Sequence, residues 1–196
     1  MPRDLPLGNG ALLINFDRRY QLRDIYDPRV GQENHTAGDP CRFGVWVDGQ
    51  FAWLDDDAWS RDLRYLPETL VTNVVVQHAG LHLALTFNDA VDLGRDLLVR
   101  RVQVRNDGPP REVRLFFHYD WHIYGTEVGD TVLYYPPINA LVAYKGHRYF
   151  VASCYLCGRP GIDGFACGKK EVEGAEGTWR DAEDGQLAQS NRAGLG

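Results

Sequence analysis

Valine, tyrosine, phenylalanine and tryptophan recur in short runs along this chain, alternate with polar residues, and are broken every few residues by Gly, Asp, Asn or Pro. A two-residue period buries one face of a strand and wets the other, so the pattern commits the chain to β-structure. It predicts strands over 11–17, 20–26, 42–47, 50–54, 70–78, 81–88, 97–106, 112–123, 131–135, 140–145 and 148–153. Three pairs of neighbours are expected to be joined by two-residue turns, at Asp48-Gly49, Ala79-Gly80 and Gly146-His147. Asp-Gly is the strongest of these signals, because a type I′ hairpin turn needs positive φ at both central residues. Two stretches are read as helical, a turn within 55–64 and a short helix near 174–181. About eleven strands with short connections cannot form one sheet without leaving an apolar face in water. The expected fold is therefore all-β, a large antiparallel sandwich of two sheets.

Composition narrows the function classes. The 196 residues are enough for a sizeable core, and their net charge of −6 comes with scattered basic residues. Phosphate backbones need a dense basic face, so no nucleic-acid partner is expected. The opening MPRDLPLGNG lacks a charged segment followed by an apolar run, and no window approaches the roughly eighteen apolar residues of a membrane span. The expectation is a cytoplasmic protein without a membrane partner. Cys154 and Cys157 form a CxxC and Cys167 follows, but no second knuckle completes a zinc site. No metal and no cofactor are expected. P-loop, GxSxG, HExxH and dinucleotide fingerprints are absent.

Two polar patches carry the candidate chemistry. In LFFHYDWHIYG, strand alternation puts His118, Asp120 and His122 on one face and Leu115, Phe117, Tyr119 and Trp121 on the other. Such a face suits an acid/base pair or, were the strand bent, a divalent metal; otherwise it is the polar side of a half-buried strand. The two histidines lie about 13 Å apart on a regular strand, too far to share one ion. In RDIYDPRVGQENHT, a strand runs into a loop that carries Arg23, Asp24, Tyr26, Arg29, Gln32, Glu33, Asn34 and His35. That density of different polar groups reads either as an interface or ligand-contact loop or as a surface loop bonded to itself. Asp24 and Glu33 are also candidates for a glycosidase-type carboxylate pair, whose spacing a sequence does not supply. Trp46, Trp53, Trp59 and the Tyr134-Tyr135 pair are candidate platforms for an oligosaccharide.

These residues resemble a known family. LPLGNGALLINFDRRYQLRDIYDPRVGQENHT at 5–36, FGVWVDGQF from Phe43, FHYDWHIYGTEVGDTVLYYP from Phe117 and GKKEVEGAEGTWRDAEDG from Gly168 resemble the amino-terminal domain of bacterial and archaeal glucoamylase-like proteins, glycoside hydrolase family 15. The resemblance implies a supersandwich of the galactose-mutarotase type over 1–187, followed in such proteins by an (α/α)6 barrel. The barrel holds two catalytic glutamates and hydrolyses α-linked glucosides with inversion. Neither glutamate maps onto this chain, so the resemblance implies a non-catalytic domain with no catalytic residue of its own. The loop from Asp24 to His35 is expected to lie toward the barrel. A sandwich separated from its barrel is expected to self-associate through the exposed surface. An autonomous carbohydrate-binding module, or a mutarotase-like enzyme with His118 or His122 as base, are the alternatives.

The tail, residues 188–196, is expected to be disordered or out of frame. Family members continue after the AEDG-like turn with a segment of the form Asn-Pro-Ile-Ala-Gln-Gly-Ser-Val. With permitted codons, dropping one base from the codon of Gln189 turns QSNRAGLG into Asn-Pro-(Thr or Ile)-Ala-Gln-Gly-Ser. The chain is accordingly expected to be the amino-terminal part of an interrupted gene.

Overall fold

The computed structural model describes residues 4–126, 128–169 and 177–191. Strands dominate, in the order β1 (Leu5–Gly8), β2 (Leu13–Phe16), β3 (Leu22–Tyr26), β4 (Arg42–Val47), β5 (Gln50–Trp53), β6 (Ser60–Tyr65), β7 (Thr72–His78), β8 (Leu83–Val91), β9 (Leu98–Asn106) and β10 (Val113–His118). After these come β11 (Thr131–Tyr135), β12 (Ala140–Lys145), β13 (Arg148–Ala152), β14 (Tyr155–Leu156), β15 (Arg159–Pro160), β16 (Ala166–Cys167) and β17 (Ser190–Asn191). Among the described residues the one α-helix, α1, is Thr178–Asp181. It falls inside the stretch read as helical from the sequence, of which 174–176 lie outside the described residues. No described helix is long and apolar enough to cross a membrane.

The chain is an all-β sandwich. Its larger sheets are antiparallel, with strand orders β1-β2-β3, β10-β4-β5, β6-β7-β8-β9 and β11-β12-β13, and β16 pairs with β17 in parallel. Residues of β3 and β4's approach join the first two sheets, since Leu22 and Cys41 exchange backbone hydrogen bonds of 3.1 and 2.9 Å. Alternate residues of β4, β7 and β8 point inward, and Val45, Val47, Val74, Val76, Leu85 and Phe87 meet Leu7, Ile14, Phe16 and Leu22 in one core. Phe43 of β4 and Phe87 of β8 lie 6.1 Å apart between ring centres, so those sheets face each other across it.

Three strand assignments depart from the sequence pattern, each for a physical reason. Segment 55–64 is not a helical turn but runs into β6, whose exposure alternates along SRDLRY. It is an outer strand, where charged side chains are tolerated on the wet face. The strand expected over 112–123 ends at His118, because the backbone beyond it bonds elsewhere. The connection at Ala79-Gly80 is longer than two residues. His78 pairs with Leu83, His82 adopts φ of 50°, and the His78 Nδ1 accepts the Leu81 N–H at 3.0 Å. The Asp48-Gly49 turn has φ of 50° and 79°, as type I′ requires.

The core is not wholly apolar. Arg100 points inward from β9 and lays its guanidinium 4.1 Å from the centre of the Phe43 ring, with Phe16, Tyr20 and Phe87 around it. Asp89, fully buried on β8, accepts Arg100 Nε at 2.5 Å, the Tyr20 hydroxyl at 2.5 Å and the Thr72 hydroxyl at 3.0 Å. Burial pushes the Tyr20 hydroxyl well above its ordinary pKa, so it stays a donor. The turn at Gly185 is fastened to the sandwich as well. Gly185, at φ of 83°, presents its Cα to the Trp46 indole with no room for a Cβ, while Arg114 stacks on Trp46 and donates to the Gly185 carbonyl at 2.6 Å.

Removing one member of a buried ion pair strands the other. Asp89→Asn is expected to destabilise the chain by about 3 kcal/mol, because Arg100 then sits uncompensated among aromatic rings. Urea unfolding followed by tryptophan fluorescence checks this; a midpoint equal to that of the wild type would remove the pair from its structural role.

Candidate functional site

The loop after β3 is bonded to itself through its inner half. Asn34 pairs with Tyr26 across the loop, and its Oδ1 accepts the Ile25 N–H, the Thr36 N–H and the Thr36 hydroxyl at 3.2, 3.2 and 2.9 Å. Its Nδ2 donates to Asp24 Oδ1 at 2.8 Å, and Asn15 on β2 donates to Asp24 Oδ2 at 2.9 Å. Buried Asp24 is thus an acceptor for two side-chain amides. The one Thr36 hydroxyl proton is shared between Asn34 Oδ1 and the Arg23 carbonyl, which lies 2.7 Å from Oγ1. Tyr26 and Glu33 are half-buried, whereas Arg29 and Gln32 face solvent. Of the eight residues singled out in the sequence, then, Asp24, Asn34 and His35 hold the loop, and Arg29 and Gln32 remain on its surface.

His35 joins this loop to the second patch. It is completely buried; its N–H donates to the Ile25 carbonyl at 2.8 Å, and its carbonyl accepts the His122 N–H at 2.8 Å. On the ring, Nδ1 accepts the Tyr124 N–H at 3.1 Å, which leaves Nε2 to donate to the Asp27 carbonyl at 2.7 Å. Those two bonds fix a neutral imidazole with its proton on Nε2. Burial lowers the His35 pKa below its ordinary value, against the pull of the Asp27 carbonyl. Phe150 covers the ring at 4.9 Å, and Trp121 and Tyr119 continue the stack. Asp27 in turn forms a salt bridge with Arg148 of β13.

These bonds explain why β10 stops. The N–H groups of His122, Ile123 and Tyr124 bond to His35, the Asp130 carboxylate and the His35 ring, so they are withdrawn from any ladder. His118, Asp120 and His122 consequently do not share one strand face. His118 is buried with its ring 6.3 Å from that of Trp53. His122 lies instead between two carboxylates, with Nδ1 3.9 Å from Asp120 and Nε2 3.6 Å from Asp39.

Among the described residues no group of three His, Cys, Asp or Glu side chains is placed to hold a metal ion. Cys157 and Gly158 form the tip of the β14–β15 hairpin, with Leu156 opposite Arg159. Cys154 and Cys157 are exposed free thiols on either side of Tyr155 and Leu156. Burial pushes the Cys41 and Cys167 thiols up to about 12 and about 11, which keeps them protonated.

The cavity beside the second patch is small. Phe117, Tyr119, Trp121, Leu141, Phe150 and Cys167 help to line a cavity of about 60 Å³. Ligand pockets typically measure ~300–1,000 Å³, so a sugar ring does not fit it. The tryptophan platforms are engaged too: Trp59 is buried, Trp53 lies buried under Arg42, and Trp46 sits under Arg114. Tyr134 stacks on Phe165 at 4.2 Å, leaving Tyr135 exposed.

No family model matches the chain. Over 165 residues, 84% of the chain, it is 25% identical to an uncharacterized glycosyl hydrolase of Methanocaldococcus jannaschii. Its backbone superposes on the crystal structure of a bacterial glucoamylase complexed with acarbose, with a TM-score of 0.59 and 14% identity over 76% of the chain. The fold is similar to that of part of a glucoamylase. The chain spans about a quarter of the length of either protein, 25% of the hydrolase and 24% of the glucoamylase.

The partners of Asp27 and His35 lie about ninety to a hundred and twenty residues away in the chain, at Tyr124 and Arg148. Nothing in the local sequence announces them. The arrangement predicts a pH dependence whose sign follows from His35. Unfolded, the imidazole binds a proton below about pH 6.5, whereas folded it resists protonation. Its contribution to stability is full above that pH and is lost as pH falls through the lowered folded value. Urea midpoints measured between about pH 8 and pH 5 should decline on the acid side, and His35→Gln should flatten part of that decline. Equal slopes for the two proteins would contradict the assignment.

Proposed function

We propose that this chain is the non-catalytic β-sandwich domain of a glucoamylase-like glycoside hydrolase acting on α-linked glucosides, and that it packs against a catalytic (α/α)6 barrel. One observation carries the reading. The same chain aligns in sequence with a glycosyl hydrolase and in backbone with a glucoamylase, and in both cases accounts for about a quarter of the larger protein. The described residues supply no long helix of the kind such a barrel needs; α1 has four residues. The cavity beside His118, at about 60 Å³, is too small for a sugar ring.

In this reading the loop from Asp24 to His35 is a rigid contact element. Its inner residues fix its shape, and Arg29, Gln32 and Glu33 are the side chains left to meet a neighbouring domain. A preformed loop loses little conformational entropy when it docks, which favours a role in contact rather than in turnover.

Glucose release from maltose and maltotriose decides between a supporting domain and an enzyme. The purified chain is expected to release no more glucose than a buffer control, and its tryptophan fluorescence is expected not to move on titration with either sugar. Hydrolysis by the chain alone would overturn the proposal, and saturable quenching would favour an autonomous sugar-binding module instead.

A further inference from the structure

The turn GNGA between β1 and β2 holds Asn9-Gly10, the one Asn-Gly pair in the 196 residues. Glycine carries no Cβ to shield its nitrogen, so in a mobile chain the Gly10 nitrogen can attack the Asn9 side-chain carbonyl. A bond then forms between Gly10 N and Asn9 Cγ, the Cγ–Nδ2 bond breaks, and ammonia leaves with the Gly10 N–H proton. Water opens the resulting succinimide at one of its two carbonyls and leaves an aspartate or an isoaspartate at position 9.

The fold holds Asn9 against that step. Its backbone N–H donates to the Leu12 carbonyl at 3.1 Å, and its Oδ1 accepts the Ala11 and Leu12 N–H groups at 3.0 and 2.9 Å. Its Nδ2 donates to the Asp92 and Arg95 carbonyls, in the turn between β8 and β9, at 3.0 and 3.1 Å. Backbone donors lie on the oxygen's side and backbone acceptors on the nitrogen's, so the amide has one orientation. Ring closure makes Cγ tetrahedral and turns it on Cβ, which strains the bonds at Oδ1. Nδ2 cannot depart without giving up the pair that ties the two turns together. Burial contributes little, since Asn9 is half-buried and the Nδ2 bonds face solvent.

The same bonds give the modification a structural consequence. A carboxylate at position 9 still accepts from Ala11 and Leu12, but it offers no proton to the Asp92 and Arg95 carbonyls and sets an oxygen against them. An isoaspartate also lengthens the backbone by one carbon, in a turn where Gly10 sits at φ of 99°. We propose that Asn9 is a self-modification site: its clasp on the β8–β9 turn protects it in the folded chain, and opening of that end converts it irreversibly to an acidic residue that no longer clasps the turn. The inference does not depend on the proposed function, because it concerns bonds within this chain alone.

Warm incubation of the full chain in mildly alkaline buffer, with and without concentrated guanidinium chloride, tests it. Mass spectrometry of the tryptic peptide 4–18 reads the replacement of amide by acid at Asn9, with Asn15 in the same peptide as an internal reference. The unfolded chain is expected to convert at Asn9 at least about tenfold faster than the folded one, since the bonds at Oδ1 and Nδ2 must open first. Asn9→Asp, made directly, should keep the circular dichroism spectrum and speed amide hydrogen exchange at Asp92 and Leu97 at least about tenfold, with exchange in β12 unchanged. Equal conversion rates in the folded and unfolded chain would overturn the proposal. So would exchange at Asp92 and Leu97 that Asn9→Asp does not alter.

Discussion

A neutral imidazole sealed from water holds the polar half of this molecule in place. His35 can donate once and accept once, and both capacities are met by groups far apart in sequence, the Asp27 carbonyl and the Tyr124 N–H. Its backbone takes up the N–H of His122 as well. Because a buried polar atom left without a partner costs about 1–3 kcal/mol, each of these bonds constrains the others. The loop after β3 cannot shift without releasing the segment after β10, and that segment cannot extend β10 without releasing His35.

This constraint changes what the candidate residues mean. A histidine, two aspartates and an asparagine in one loop look like the makings of acid/base chemistry. Here Asp24 accepts two amides, Asn34 is saturated by backbone and hydroxyl groups, and His35 is covered by Phe150. The buried Arg100–Asp89 pair is likewise internal, closed in by Phe16, Tyr20, Phe43 and Phe87. Polar groups engaged in this way shape a surface. That is what the proposed role, a fixed contact rather than a centre of turnover, requires.

Much of the fold was legible in the sequence, and the omissions follow physical lines. Period-two alternation and turn residues located β4, β11 and β12 to the residue, since those strands are regular and bounded by strong turns. LPLG lies outside the strands expected from the sequence, the first of which begins at residue 11. As β1 it is an outer strand, where a missing N–H is tolerated. SRDLRY was passed over because it is charged, which is how an outer strand such as β6 presents itself to water. The short parallel ladder of β16 and β17 joins segments more than twenty residues apart and leaves no local pattern. At the candidate site, the residue types were legible and their partners were not, because Asn15, Tyr124 and Arg148 reach the loop through the fold alone.

The central claim is that the polar loop is a folded, internally bonded element built on His35. Long-range proton–nitrogen correlation of the imidazole nitrogens across a pH titration tests it most directly. The account predicts a single Nε2–H tautomer for His35, still neutral at a pH where exposed histidines are already charged. An imidazole that titrates near pH 6.5 with both tautomers populated would show a solvated side chain and contradict it.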